Sequence, residues 1–136
     1  MPLEVRTLAE WEAHGIPGLL SVVIPAHNEE ERIEATVRAI AAALGEAAIS
    51  FEILVVNDNS QDATEVILAR LAAELPQVRY IRNEPPNGFG FAVRSGLAAF
   101  RGDAVAIVMT GRDFLPKVRR LIDEFETSVL AIHGPI

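Results

Sequence analysis

The sequence predicts an α/β fold with three α/β/α layers, in which helices cover both faces of a mainly parallel sheet. Short apolar segments rich in Val and Ile alternate along the chain with longer segments of helical periodicity. Three of the four short segments lack polar alternation, which is typical of parallel strands that are buried on both faces. The resulting order, β-α-β-α-β-α-β-α, favours a parallel sheet between two layers of helices.

Each predicted element follows from the local pattern of apolar residues. The strands are the short Val- and Ile-rich segments 19–25, 51–57, 78–82 and 104–109. The helices are the longer segments 29–44, 62–75, 91–100 and 116–126. In the first of these helices Ile33, Val37 and Ile40 fall on one face, at spacings of three and four residues. Pro76 ends the second helix because proline cannot continue it.

Helix starts and loops carry signals of their own. Two pairs of residues match a capping box, in which a side chain at each end satisfies a free amide of the first turn. These pairs are Asn28 with Glu31 and Asp62 with Glu65. Thr7 can start a short leading helix, and the tail 127–136 can add one more strand. The loop 83–90 contains two prolines and two glycines, and loops of this kind often carry ligand contacts.

Composition and charge narrow the class of protein. The 136 residues include 12 Lys+Arg and 19 Asp+Glu, giving a net charge of −7, and half of the residues are apolar. This length suits a single domain, 1–136, with a hydrophobic core. The acidic balance argues against nucleic acid as a partner. The chain has no cysteine, so disulfides and thiolate chemistry are excluded.

The sequence contains no signal for membrane insertion or export. No uncharged run reaches the roughly 18–20 residues that a membrane span requires. The first residues, MPLEVRTLAEWEAHG, lack the basic and apolar regions of a secretory signal. We therefore expect a cytoplasmic protein.

Polar segments follow the predicted strands at the edge of the sheet where α/β folds bind ligands. The segments 25–31 and 57–62 can be explained as turns and helix caps, with acidic residues that complement the helix dipole. Asp58 can also accept hydrogen bonds from the ring N–H and amino groups of a nucleobase. A helix that begins beside it would suit phosphates.

Several other nucleotide-binding classes do not match. The segment from Gly88 to Gly90 contains G-x-G, but Val93 replaces the third glycine of the dinucleotide fingerprint. The chain has no P-loop motif, and Pro25-Ala26 stand where a phosphoacceptor receiver domain would need an acidic pair. A nucleotidyltransferase would have a glycine-rich basic loop where this chain has AHNEEE.

Three ordered segments resemble the family 2 glycosyltransferases, the group similar to dolichyl-phosphate mannose synthase with the GT-A fold. They are SVVIPAHNEEERI (21–33), FEILVVNDNSQDAT (51–64) and PNGFGFAVRSGLAAFRGDAVAIVM (86–109). They stand where that family has I-P-A-x-N-E, V-D-D-x-S-x-D-x-T and N-x-G-x-G-x-A-x-x-x-G…G-D. The resemblance implies a Rossmann-like nucleotide-binding half of a GT-A domain, without the acceptor-binding half that usually follows.

The resemblance also implies a set of residues that bind a nucleotide sugar. The set is Pro25, Ala26, His27, Glu29, Asn57, Asp58, Gly88, Gly90, Arg94 and Arg112. The first four would line the nucleoside pocket, and Asp58 would contact the base or the ribose. Gly88, Gly90 and Arg94 would lie beside the ribose and the phosphates. Asn57 stands where the family usually has an aspartate.

The metal motif of the family is altered in this chain. After the fourth strand the family places an acidic D-x-D motif that holds Mg²⁺ or Mn²⁺ against the donor diphosphate. Here the corresponding residues are Thr110-Gly111-Arg112-Asp113. Asp113 is the carboxylate that the resemblance implies as a ligand of Mg²⁺ or Mn²⁺. Arg112 offers an alternative, because its positive charge can neutralise a diphosphate without a metal.

Two functions follow from the resemblance. The first is an inverting glycosyltransferase that moves a sugar from a UDP- or GDP-sugar to an acceptor such as a polyprenyl phosphate, which would bring the protein to a membrane surface. The second is a catalytically inactive module that binds nucleotides or self-associates as a homo-oligomer, having lost the metal motif and the acceptor half. The resemblance assigns no catalytic residue.

Overall fold

A computed structural model describes residues 4–6, 18–110 and 131–133, with the backbone alone for the first and last of these ranges. Within them the chain forms strands and helices in the order β1 (Glu4–Arg6), β2 (Leu20–Ala26), α1 (Ile33–Glu46), β3 (Phe51–Asn57), α2 (Thr64–Glu74), β4 (Val78–Arg82), α3 (Phe89–Ala99), β5 (Ala104–Ile107) and β6 (Ala131–His133). No helix in this part of the chain has the length and apolarity that a membrane crossing requires.

The six strands form one sheet in the order β1-β6-β5-β2-β3-β4. β5, β2, β3 and β4 are mutually parallel, whereas β6 runs antiparallel to β5 and to β1. In the parallel register Ala26 pairs with Asn57, and Asn57 pairs with Arg82. The carboxyl ends of three neighbouring strands therefore meet at one edge of the sheet. The predicted, mainly parallel sheet is confirmed, and β6 falls within the predicted last strand segment.

Helices cover both faces of the sheet, so the predicted three layers are also confirmed. On one face Val22, Ile24 and Ile53 pack in a core with α1 and α2. On the other face Val23 and Leu54 pack in a second core with α3. Because β2 and β3 bury residues on both sides, they show the continuous apolar runs seen in the sequence. Each such buried side chain stabilises the fold by about 1.5–3 kcal/mol.

Several predicted helix boundaries are wrong by a few residues. The first helix was expected from residue 29 but begins at Ile33. Asn28 does not cap it, because its backbone has a φ of 52° and its Oδ1 accepts the Gln61 N–H at 2.7 Å. The third helix begins at Phe89, two residues early. The predicted strand 104–109, which is β5 in the structure, ends at Ile107, two residues earlier than expected.

The second capping box is wrong as well. Asp62 Oδ1 accepts the Thr64 N–H at 2.9 Å, so Asp62 does support the start of α2. The reciprocal contact does not form, because Glu65 pairs with Arg82 at 2.5 Å instead of turning back to the helix start. The strand β1 was not predicted. The predicted helices that begin at Thr7 and span 116–126 lie outside the described residues.

A glycine in α3 allows this helix to approach the sheet closely. A Cβ added at Gly96 would overlap Val23 Cγ1 and lie 3.2 Å from Val56 Cγ2. We expect Gly96→Ala to lower the free energy of unfolding by about 1–3 kcal/mol, because α3 must move off the sheet. Gly45→Ala in α1 is the matched control, since a Cβ there meets no atom within 4 Å.

Chemical denaturation of both variants measures the two effects. The control should stabilise the protein by about 0.5–1 kcal/mol, because alanine is the better helix former. Equal effects of the two substitutions would contradict the close approach at Gly96.

A partly buried ion pair joins the amino ends of the strands, opposite the edge where Ala26 and Asn57 lie. Glu52 in β3 is 7% exposed and accepts from Arg79 Nε at 2.9 Å and from the Ser21 hydroxyl at 2.6 Å. It also accepts the Arg101 N–H at 2.7 Å. Glu52 therefore connects β2, β3, β4 and the segment that leads into β5.

Candidate nucleotide-binding site

A cavity of about 520 Å³ opens where β2 and β3 end and α3 begins. This is the position at which open α/β sheets bind ligands. The cavity is lined by Pro25, Ala26, His27, Glu29, Asp58, Asn59, Asn87, Gly88, Phe89, Met109 and Thr110. Its size is typical of pockets for small-molecule ligands and cofactors.

The floor of the pocket consists of two loops that hydrogen-bond to each other. The backbone N–H of Asn28 donates to Ser60 Oγ at 3.0 Å, and that of Glu29 donates to Thr64 Oγ1 at 2.9 Å. In return, the Gln61 N–H donates to Asn28 Oδ1. The short polar residues that follow β2 and β3 thus satisfy each other's backbone amides. This bracing fixes the positions of the side chains that line the cavity.

Asp58 organises the wall of the pocket. The residue is 6% exposed, and its Oδ1 accepts from Asn83 Nδ2 at 2.8 Å and from Asn87 Nδ2 at 3.0 Å. The Gly88 N–H donates to Oδ2 at 3.0 Å and to Oδ1 at 3.3 Å. One carboxylate therefore holds the loop between β4 and α3 against the end of β3.

These contacts keep Asp58 ionised. Burial acts to raise the pKa of Asp58, but the donors on Asn83, Asn87 and Gly88 and the nearby His27 outweigh it and hold the pKa below its usual value. Among the described residues Oδ2 accepts from Gly88 alone. A carboxylate oxygen can accept about two hydrogen bonds, so Oδ2 retains acceptor capacity.

The side chain of His27 hydrogen-bonds to the backbone of the same turn. Its Nδ1 lies 2.6 Å from the carbonyl oxygen of Asp58. A carbonyl oxygen can only accept, so this contact places a proton on Nδ1. The Nε2 atom lies 3.3 Å from Asn28 Nδ2. The ring is exposed and forms part of the pocket lining.

The amino end of α3 supplies positive electrostatic potential beside Asp58. Gly88 precedes the helix with a φ of 130°, a conformation that strongly favours glycine. The first N–H groups of any helix have no acceptor within the helix, and the helix dipole is positive at this end. The pocket therefore combines a carboxylate acceptor with a helix end that favours anions.

The structure brings together six of the residues implied by the resemblance and separates three others. The six that line the pocket are Pro25, Ala26, His27, Glu29, Asp58 and Gly88. Asn57 is buried in the turn instead, where its Oδ1 accepts the Ser60 N–H at 3.3 Å. Gly90 and Arg94 lie on exposed positions of α3 and do not line the cavity. Arg112 and Asp113 lie outside the described residues.

Comparison with known proteins identifies the family. The model of the family described as "Glycosyl transferase family 2" matches residues 21–131, which is most of the chain. The chain belongs to glycosyl transferase family 2. The matched region includes every residue that lines the pocket.

Two curated relatives are similar to this chain along about three quarters of its length. A dolichyl-phosphate beta-glucosyltransferase of Trichomonas vaginalis is 39% identical over 110 residues, which are 76% of this chain and 31% of that protein. A glucosyl-3-phosphoglycerate synthase of Mycolicibacterium smegmatis is 36% identical over 110 residues, 75% of this chain and 34% of the relative. This chain thus spans about a third of the length of these relatives.

A solved structure resembles the domain more extensively. The glucosyl-3-phosphoglycerate synthase of Mycobacterium tuberculosis, in complex with Mn²⁺, UDP and glucosyl-3-phosphoglycerate, superimposes with a TM-score of 0.63 and 28% identity. The match covers 90% of this chain and 44% of that one. The α/β architecture of the domain is therefore that of a GT-A glycosyltransferase.

The described residues do not form a site for a divalent metal. No group of three His, Cys, Asp or Glu side chains is close enough together within this part of the chain. Asp58 and Glu29 are the acidic residues among those that line the pocket. The Asp58 carboxylate already accepts hydrogen bonds from three residues. The Glu29 carboxylate forms an ion pair with Arg32, whose Nη1 lies 3.8 Å from Glu29 Oε2. Mg²⁺ and Mn²⁺ favour several oxygen ligands, which these two carboxylates alone do not provide.

Five residues that line the pocket were not among the expected site residues. They are Asn59, Asn87, Phe89, Met109 and Thr110. Asn87 and Phe89 both lie in the loop 83–90, which the sequence marked as a place for ligand contacts, so their role in the lining could have been predicted from that loop. Phe89 and Met109 are 52% and 53% exposed, which is unusual for large apolar side chains. No local pattern distinguishes Met109 from a strand residue, because only the register of β5 beside β2 brings it to the pocket.

Proposed function

We propose that this domain binds the nucleoside diphosphate of a UDP- or GDP-sugar in the pocket and serves as the donor-binding part of a glycosyltransferase. The observation that carries the proposal is the pairing of an ionised, nearly buried Asp58 with the amino end of α3 in one cavity. A nucleoside diphosphate has hydrogen-bond donors at one end and negative charge at the other. The two features of the pocket complement these two ends.

The base end is assigned to Asp58. Uracil and guanine each carry a ring N–H that a carboxylate oxygen can accept, and Asp58 Oδ2 has the capacity to do so. We assign the exposed ring of His27 to the face of the base, where aromatic side chains stack on nucleobases. Pro25 and Ala26 would close the apolar side of this subsite.

The diphosphate end is assigned to the start of α3. Gly88 permits close approach of the backbone, and the helix end attracts negative charge. Arg112 and Asp113 follow Thr110, which lines the pocket, by two and three residues. We assign Arg112 to the diphosphate, and Asp113 to a divalent metal such as the Mn²⁺ in the solved glucosyl-3-phosphoglycerate synthase complex.

The proposed reaction is a single displacement with inversion. An oxygen of the acceptor attacks the anomeric carbon of the sugar while the bond from that carbon to the diphosphate oxygen breaks, and the nucleoside diphosphate leaves with the electron pair. A polyprenyl phosphate is the proposed acceptor, because it attacks through an oxygen that is already ionised and needs no general base. Similarity to a dolichyl-phosphate beta-glucosyltransferase supports this choice.

Calorimetric titration with UDP, GDP and ADP, each with and without Mn²⁺, tests the proposal. We expect either UDP or GDP to bind at least about tenfold more tightly than ADP, because N1 of adenine is an acceptor that would face the Asp58 carboxylate. Dependence on Mn²⁺ would support the role of Asp113, and binding without it would support Arg112.

Failure of both UDP and GDP to bind would contradict the proposal. A sugar-transfer assay with a polyprenyl phosphate separates the two functions that the family resemblance allows. Nucleotide binding without transfer would favour the inactive binding module.

A further inference from the structure

Asn83, at the end of β4, uses all the hydrogen-bonding groups of its side chain. The residue is 6% exposed. Its Nδ2 donates to Asp58 Oδ1 at 2.8 Å and to the carbonyl oxygen of Pro86 at 3.4 Å. Its Oδ1 accepts from the Ser95 hydroxyl at 2.5 Å. Because both ends of the amide have partners, the orientation of the side chain is fixed.

The backbone of Asn83 joins the same network. Its N–H donates to the carbonyl oxygen of Asn57 at 2.9 Å, and its carbonyl oxygen accepts from Asn87 Nδ2 at 3.0 Å. Asn87 Nδ2 also donates to Asp58 Oδ1. The end of β3, the pocket wall and the second turn of α3 are therefore connected through a residue that does not line the pocket.

This network determines which oxygen of Asp58 is available. Oδ1 receives donors from Asn83, Asn87 and Gly88, whereas Oδ2 receives only the Gly88 N–H among the described residues. Removing the Asn83 amide would leave Oδ1 with its longer contacts and allow the carboxylate to rotate. By holding Oδ1, Asn83 thus fixes the direction in which Asp58 Oδ2 points.

We propose that Asn83, held by Ser95, is a positioning residue that orients Asp58 so that Oδ2 receives the nucleobase. This inference rests on the proposed function, because it concerns how the same pocket recognises its nucleotide. Asn83 acts through Asp58 and has no contact with the ligand of its own.

Asn83→Asp tests this role through a pH profile. The substitution keeps the size of the side chain but puts a second carboxylate where Asn83 Nδ2 now lies 2.8 Å from Asp58 Oδ1, and the two groups repel each other when both are ionised. At pH 8 we expect affinity for UDP or GDP, whichever the native chain binds, to fall by about 10- to 100-fold. Towards pH 5 a proton shared between the two carboxylates restores the hydrogen bond, so most of the affinity should return. Asn83→Ala should show the loss at both pH values.

Two controls separate this effect from general changes in charge. Within the described part of the chain, His27 also contacts Asp58 and Glu29 also lines the pocket, and the nucleotide itself titrates. Each affinity is therefore divided by that of the native chain at the same pH. Gln77→Glu adds the same charge at an exposed position just before β4, at the opposite edge of the sheet from the pocket. Its ratio to the native affinity should stay near one throughout.

Hydrogen exchange of the Gly88 amide, without nucleotide, gives a second measurement. We expect this amide to exchange about tenfold faster in Asn83→Ala and in Ser95→Ala, because its acceptor Asp58 is no longer held. Native affinity in both Asn83 variants, with unchanged exchange, would overturn the positioning role while the proposed function stands. Absence of UDP and GDP binding by the native chain would overturn the proposed function instead, and the exchange rates would still decide whether Asn83 holds Asp58.

Discussion

Asp58→Ala is expected to abolish measurable nucleotide binding, with a loss of at least about 100-fold in affinity. The substitution removes the proposed acceptor for the base. It also leaves the buried amide of Asn83 without its partner at 2.8 Å and frees the Gly88 N–H. Unpaired buried donors should lower the free energy of unfolding by about 1–3 kcal/mol as well. Calorimetry and chemical denaturation measure the two effects separately.

Asp103→Asn is the matched control for Asp58. Asp103 precedes β5 at the opposite edge of the sheet, and its Oδ2 accepts the Leu19 N–H at 2.9 Å. Asparagine there removes one negative charge but can keep an acceptor. Nucleotide affinity should be unchanged in this variant. Equal affinities of Asp58→Ala and the native chain would contradict the assignment of the base subsite.

Glu52→Ala is expected to lower the free energy of unfolding by about 1–3 kcal/mol, the usual cost of leaving buried hydrogen-bond donors without an acceptor. The side chain of Arg79 would lose its partner at 2.9 Å, and the Ser21 hydroxyl and the Arg101 N–H would lose their acceptor. Thermal or chemical denaturation measures the loss. Glu74→Ala is the control, because Glu74 pairs with Arg38 at the surface, where an ion pair is worth about 0–1 kcal/mol.

The Glu52 cluster also makes stability depend on pH in a defined direction. Burial acts to raise the pKa of Glu52, but hydrogen bonds from Arg79, Ser21 and Arg101 outweigh it, so the pKa lies below its usual value. A lowered pKa in the folded state means that the stabilisation is complete above about pH 4.3 and is lost as the pH falls through the folded pKa. Glu52→Gln should flatten this part of the stability profile. An unchanged slope in that variant would contradict the role of the ionised carboxylate.

Much of the architecture could be predicted because it depends on patterns that are local in the sequence. The continuous apolar runs of β2 and β3 indicated burial on both faces, and both faces are indeed covered. The helix boundaries were less predictable. Asparagine is a common helix-capping residue, but the side chain of Asn28 accepts the Gln61 N–H of the neighbouring turn instead. Tertiary contacts decided between two uses of the same residue.

For the candidate site, strand ends and motifs that are visible in the sequence were enough to bring Pro25, His27, Asp58 and Gly88 together, since the ends of parallel strands meet at one edge. The partners of each side chain, in contrast, depend on the three-dimensional arrangement of the elements. Asp58 is committed to Asn83, which lies 25 residues away, and this pairing exists only because β4 lies beside β3. Hydrogen bonds between distant residues depend on strand register and loop path, and neither leaves a local pattern in the sequence.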